Sequence, residues 1–148
     1  DYTTLAGNVL ELIDTDTTWN VGSSGDYATL EEAMTAARGV RIHHEATLTL
    51  QIANDLYYPS NSINLNHPDG INIFIKGNPN DNTLVKLEFS GTDGLVLTKG
   101  YQIGGITDIT IQGDGTALSG LRLEEGALGP SNVAVQVPDC CPPSIALE

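Results

Sequence analysis

Three histidines, two cysteines and 19 acidic residues are the groups with which this chain of 148 residues could do chemistry. His43 and His44 stand directly before Glu45, an imidazole–imidazole–carboxylate run of the residue types that hold zinc-class cations. Adjacent residues of an extended strand point to opposite faces, so the two rings are expected to be exposed strand-edge histidines, with no metal bound. His67, ahead of Pro68, reads as a turn residue with its side chain held against Asp69 rather than as a general base. Cys140 and Cys141 are neighbours in a proline-flanked tail, and a bridge between neighbours closes a strained ring. They read as incidental thiols. The sequence has no nucleophile elbow, phosphate loop or zinc spacing. No catalytic residue, metal ligand or cofactor is therefore expected.

The acids need the same weighing. Asp55, Asp69, Asp81, Asp93, Asp114 and Glu125 fall mostly in turn-like stretches, while Glu88, Asp108 and Glu124 project from three different strand families. They are not expected to converge. Arg122 should stack over Val96 rather than beside Asp108. Tyr57, Tyr58 and Tyr101 supply the one binding hint, because a flat apolar ring beside Asn and Asp is what sugar recognition uses. The competing reading is that these rings cap open corners of the fold. A formal charge of −13, from 19 acids against 6 bases, argues against nucleic acid or an anionic membrane surface as partner. No run approaches the ~18 apolar residues of a spanning helix, so membrane insertion is not expected.

The elements that must position these groups are almost all strands. Residues 1–16 read as an N-terminal arm, and Thr17–Val21 as a short strand with Trp19 in the core. Thr29 and Glu32 make a capping box, and Leu30, Ala33, Met34 and Ala37 recur at helical spacing before Gly39. One amphipathic helix near 29–38 follows. After Gly39 the pattern becomes short β-branched runs bounded by Gly, Asn, Asp or Pro. Gly70–Gly77 recurs loosely as Ile106–Gly113, and Thr47–Leu50 as Thr83–Lys86, each at a separation of 36; Asp93–Leu97 recurs as Ser119–Leu123, 26 residues on. Strand families repeating in order predict a coiled solenoid with three sheets and about three coils, at 47–82, 83–117 and 118–137. An antiparallel sandwich is the alternative, since Asn66–Gly70 could close a hairpin.

The stretch Asn20–Ala33, with Gly22-Ser23-Ser24-Gly25-Asp26-Tyr27-Ala28-Thr29-Leu30 at its heart, resembles the opening of right-handed parallel β-helices of the pectin-lyase-like superfamily. Tyr57-Tyr58, Leu65–Gly70 and Ile75–Asn78 look more like its phage tail-fibre and tailspike branch. The resemblance implies an all-β, right-handed, single-stranded parallel β-helix over 17–137 with one N-terminal amphipathic capping helix. The remaining 138–148 form a tail, truncated or left by cloning. It further implies a structural or adhesion module, extracellular or in a virion tail, contacting cell-surface glycans and assembling as a homotrimer. The paired aspartates and glutamines of pectin methylesterases have no counterpart. The alternative function is an N-terminal fragment of a carbohydrate-active enzyme whose catalytic coils lie elsewhere.

Overall fold

A computed structural model describes residues 2–3, 9–117, 119–124, 127–128, 132–136 and 145–147. Helix α1, Leu30–Ala37, begins where its caps predict: Thr29 Oγ1 accepts from the Glu32 N–H at 3.2 Å, and Glu32 Oε2 accepts from the Ala28 N–H at 3.0 Å. The carboxylate thus reaches one residue beyond the N-cap. Leu30, Ala33, Met34 and Ala37 are buried, and the Gly39 N–H closes the last turn on the Ala36 carbonyl at 3.0 Å. Trp19 is partly buried and packs against Tyr27, with ring centroids 5.2 Å apart.

Apart from two single 3-10 turns, Gly70–Asn72 and Asn82–Leu84, the other regular structure among the described residues is strand. The first strands are β1 (Tyr2–Thr3), β2 (Val9–Ile13), β3 (Thr17–Val21) and β4 (Val40–Ile42). Above them run β5 (Leu48–Ile52), β6 (Asp55–Tyr57) and β7 (Ile63–Asn64), then β8 (Ile73–Lys76), β9 (Val85–Phe89) and β10 (Asp93–Leu97). The next tier holds β11 (Gln102–Ile103), β12 (Gly105–Gly113) and β13 (Ser119–Leu123), followed by β14 (Ala127–Leu128), β15 (Asn132–Gln136) and β16 (Ile145–Leu147). Among the described strands only β1 and β2 pair antiparallel; every other pairing is parallel. Parallel neighbours cannot be joined by tight hairpins. The fold is all-β with one helix, and the antiparallel sandwich is excluded.

Register corrects the repeat. Leu95 lies opposite Leu121 and Val96 opposite Arg122, as the 26-residue recurrence requires. The 36-residue recurrences do not stack: Leu48 faces Ile73, and Phe74 faces Gly105. Val85 sits over Asp55 in a different column. Consequently the expected coil of 47–82 already contains the first strand of the next tier. The described strands form four sheets, of three, four, two and seven strands, rather than three. Both ends of the chain also contribute strands. The arm supplies β2, which pairs with β4, and the tail supplies β16, which pairs with β13.

The seven-stranded sheet is large because β12 is long. Its first half pairs with β8 and its second half with β9, two strands that the Gly77–Leu84 corner separates one tier below. The single residue Asp108 does the work of that corner, bending at φ 62, the left-handed region that L-residues other than Asn and Asp avoid. Its carbonyl accepts from the Asn78 N–H at 3.0 Å. Asp108→Val should therefore be less stable than Asp108→Asn, which keeps the left-handed preference, by about 1–2 kcal/mol. Urea denaturation of both variants checks this; equal midpoints would remove the conformational argument.

The core is the stack of inward side chains. Leu50, Ile75 and Ile106 follow one another through successive tiers, as do Ile63, Leu95 and Leu121, and all are essentially inaccessible. Narrow aliphatic columns of this kind need no aromatic bulk, which accounts for an aromatic content of 5 %.

Candidate functional site

Outward residues of the same strands build a polar groove of about 600 Å³. Asn20 on β3 lies opposite Gln51 on β5, so the pleat delivers both side chains to one outer column, while Lys76, opposite Gln51 on β8, sets its ammonium over the Phe74 ring and does not line the groove. The loop after β3 adds Ser24 and Asp26 to the groove wall, and the corners after β5 and β8 add Asn54 and Asn78. Asp26 Oδ2 accepts from the Asn20 backbone N–H at 2.8 Å and fixes the loop. The Gln51 amide donates to the Gly77 carbonyl at 2.7 Å, and Asn78 Nδ2 donates to Asn54 Oδ1 at 3.1 Å. These bonds order the lining while leaving Gln51 Oε1 and Asn54 Nδ2 without a protein partner among the described residues. Asp26 is the one ionisable group in the wall. Such a surface offers neutral donors and acceptors at fixed positions, suited to hydroxyl groups rather than to charged ligands.

None of the three expected tyrosines lines this groove. Tyr57 packs against the core, and its hydroxyl donates to the Ala53 carbonyl at 2.8 Å, behind the groove floor. Burial, with the Asp55 carboxylate beside it, pushes the Tyr57 phenol above its usual range. It is a corner clip. Tyr58 is 68 % exposed and stands apart, while Tyr101 borders a small cleft of about 160 Å³ with His67, Ile71 and Gln102. The sequence signal that would have found the groove is the recurrence of Asn and Gln at outward positions next to corners, which a search for aromatics and titratable groups passes over.

The acids are partly rearranged relative to expectation. Glu124 and Asp93 both meet Arg122: Arg122 Nη1 lies 3.0 Å from Asp93 Oδ2, and Nη2 lies 2.8 Å from Glu124 Oε1. The remaining Asp93 oxygen accepts from the Ser119 hydroxyl at 2.5 Å. Both Asp93 oxygens are thus committed across β10 and β13, an arrangement that clamps two stacked strands. Strand-family assignment missed it because Asp93 starts its strand and Arg122 reaches along the sheet. Glu88 is taken up by the Gln112 amide one strand above. Asp114 accepts from the Thr116 hydroxyl and backbone, with Ser90 nearby, and these bonds hold its carboxyl down to about 2. Each of these is a turn or ladder fastening.

His67 is a turn residue held against Asp69, as read from the sequence, whereas His43 and His44 depart from that reading. His67 is buried at 2 % exposure, and its Nδ1 accepts the Asp69 N–H at 2.9 Å. Its Nε2 lies 2.9 Å from the Ala37 carbonyl and 3.1 Å from the Val40 carbonyl, so Nε2 carries the proton and ties off the end of α1. His43 and His44 do not point to opposite faces. The chain leaves β4 at Ile42 and turns, with the Ala46 N–H donating to the His43 carbonyl at 2.9 Å, and the two ring centroids come within 4.2 Å. The opposite-face rule failed because it holds for extended backbone and not for a turn.

Comparison with protein-family models, curated proteins and solved structures finds no match. The geometry of the groove therefore carries the functional reading.

Proposed function

We propose that this chain is a structural and adhesion module, a right-handed single-stranded parallel β-helix whose amide-lined groove receives a neutral stretch of a cell-surface glycan. The observation that carries the reading is the groove wall itself: Asn20, Gln51, Asn54 and Asn78, drawn from three successive tiers, with one carboxylate and no base. Stacked parallel strands with crossovers of roughly two to three dozen residues support the solenoid part of the reading. Tyr58 and Tyr101 enter as secondary contacts for a longer glycan, and Tyr57 as a support for the groove floor. A place on a cell surface or virion tail and assembly as a trimer complete the reading, the acidic surface favouring neither nucleic acid nor anionic lipid.

The test is calorimetric titration with neutral and acidic hexose oligosaccharides. Saturable binding of a neutral oligosaccharide is expected, weakened at least tenfold in Asn20→Ala/Asn54→Ala and little changed in Tyr101→Ala. Binding confined to acidic oligosaccharides, or untouched by the double substitution, would overturn it. Sedimentation velocity tests the trimer, which fails if monomer persists at high concentration. Release of unsaturated product from an acidic polysaccharide would favour the enzyme-fragment alternative instead.

A further inference from the structure

The run His43-His44-Glu45 has been gathered by the turn after β4 into a three-dimensional cluster. One ligand atom from each side chain lies within 4.8 Å of the other two. His44 Nε2 and Glu45 Oε1 are 3.9 Å apart, and both side chains are 79 % exposed, whereas His43 is half-buried. The backbone beneath them is pinned on both sides. The His43 N–H donates to the Ile13 carbonyl at 2.8 Å, Ala46 is buried, and Thr47 donates through its N–H and hydroxyl to Asp16 Oδ1 at 3.0 and 3.1 Å. The turn is thus held in place by its own backbone bonds before any ligand arrives.

The geometry points to a surface site for a borderline divalent transition-metal cation of the Zn2+, Ni2+ and Cu2+ class, held by the two imidazoles and the Glu45 carboxylate. Two nitrogen donors and one carboxylate oxygen are the donor set these ions favour, while Mg2+ and Ca2+ seek all-oxygen shells. Zinc takes such ligands at about 2.0–2.2 Å in a tetrahedral arrangement, so three protein donors leave one position for water or for a donor on a second molecule. The His43 Nδ1 lone pair faces the turn, where it receives only a long contact of 3.3 Å from the Glu45 N–H. A cation on Nδ1 replaces that contact, and one on Nε2 requires the ring to change tautomer. A chain with a net charge of −13 also concentrates divalent cations near its surface. The remaining histidine, His67, is buried with both ring nitrogens engaged, so imidazole coordination has one address among the described residues.

Titrating the full chain with ZnCl2 by calorimetry, and with CuCl2 by electron paramagnetic resonance, tests this. Saturable binding at one ion per chain is expected, with nitrogen coordination in the copper spectrum. His44→Ala should weaken zinc binding at least tenfold, His43→Ala similarly, and Glu45→Gln several-fold. His44 and Glu45 are exposed, so unchanged melting of their metal-free variants separates loss of ligand from loss of fold. On zinc addition the imidazole resonances of His43 and His44 should shift while those of His67 stay fixed. The site is refuted if binding is not saturable, if the His43→Ala/His44→Ala double variant binds zinc as tightly as the parent, or if millimolar Mg2+ displaces the zinc.

Discussion

Gly77→Ala is expected to cost about 3 kcal/mol or more, a large part of the ~5–15 kcal/mol that holds a typical domain together. A Cβ at Gly77 would sit 2.1 Å from the Asp108 carbonyl oxygen and 2.6 Å from Ile109 Cγ2. The first obstacle is backbone of the adjacent tier, so no side chain can swing aside to make room. Either the corner withdraws and breaks the Gly77 N–H to Thr107 carbonyl bond of 2.9 Å, or the tiers separate locally. Gly70→Ala should behave alike, its Cβ falling 2.0 Å from the Gln102 carbonyl oxygen. Gly91 is the contrast: it has φ 67 but open space around it, so Gly91→Ala should lose only the ~1–2 kcal/mol of left-handed strain. Thermal unfolding followed by circular dichroism ranks the three. A Gly77→Ala variant that melts with Gly91→Ala or above it would show that the tiers are not in such close register.

The second large effect is expected at His67. Replacing it with alanine removes the donor to the Ala37 and Val40 carbonyls, removes the acceptor of the Asp69 N–H and opens a cavity, for about 3 kcal/mol in all. The loss should be local first. Hydrogen exchange should show protection falling at the C-terminal turn of α1 and in β4 before the strands of later tiers respond. The same turn presents Asp69, whose two oxygens receive Arg41 Nε at 2.7 Å, Arg41 Nη2 at 2.9 Å and the Ile42 N–H at 2.9 Å. The Arg41 hydrogen bonds, chiefly, hold the Asp69 carboxyl below the usual carboxylate range, outweighing the burial that raises it. A depressed folded-state pKa stabilises at pH above the unfolded value near 3.9, and that contribution disappears as pH falls through the folded value. Asp69→Asn should therefore be less stable than the parent at pH 7, with the gap closing below about pH 4. A gap that stays constant down to pH 2 would mean that the carboxylate charge is not what matters.

Together these positions show how one turn, Asn66–Gly70, joins the helix to the strand stack. Read as a sequence it offered a hairpin loop, or a histidine leaning on Asp69. The contact with Asp69 is real but involves its backbone, while the carboxylate belongs to Arg41, 28 residues upstream. Nothing in local spacing encodes a partner at that distance. Tyr57 illustrates the same limit from the other side. Its neighbour Tyr58 is exposed, as one of an adjacent pair on a strand end should be, yet which of the two turns inward depends on β6 pairing with β9, where Tyr57 faces Leu87. β6 itself, Asp55–Tyr57, carries no apolar alternation and becomes a strand because β9 supplies the other half of its ladder.

Local chemistry, by contrast, was legible wherever it was self-contained. The capping box, the apolar face of α1 and the turn residues that end each strand act over three or four positions, so the sequence by itself determined one short amphipathic helix followed by a run of short strands. The 26-residue recurrence also determined how β10 meets β13, because both strands repeat the same Gly-Leu-x-Leu pattern at one register. Tertiary structure alone decided the rest: tiers of unequal length, the fusion of two strand columns through β12, the gathering of His43, His44 and Glu45, and the groove of Asn20, Gln51, Asn54 and Asn78. Corner lengths differ between tiers, as the eight residues Gly77–Leu84 and the single residue Asp108 show, so a fixed sequence period drifts away from the spatial one. Side chains that meet across tiers are set by hydrogen-bond register, and register is a property of two strands at once.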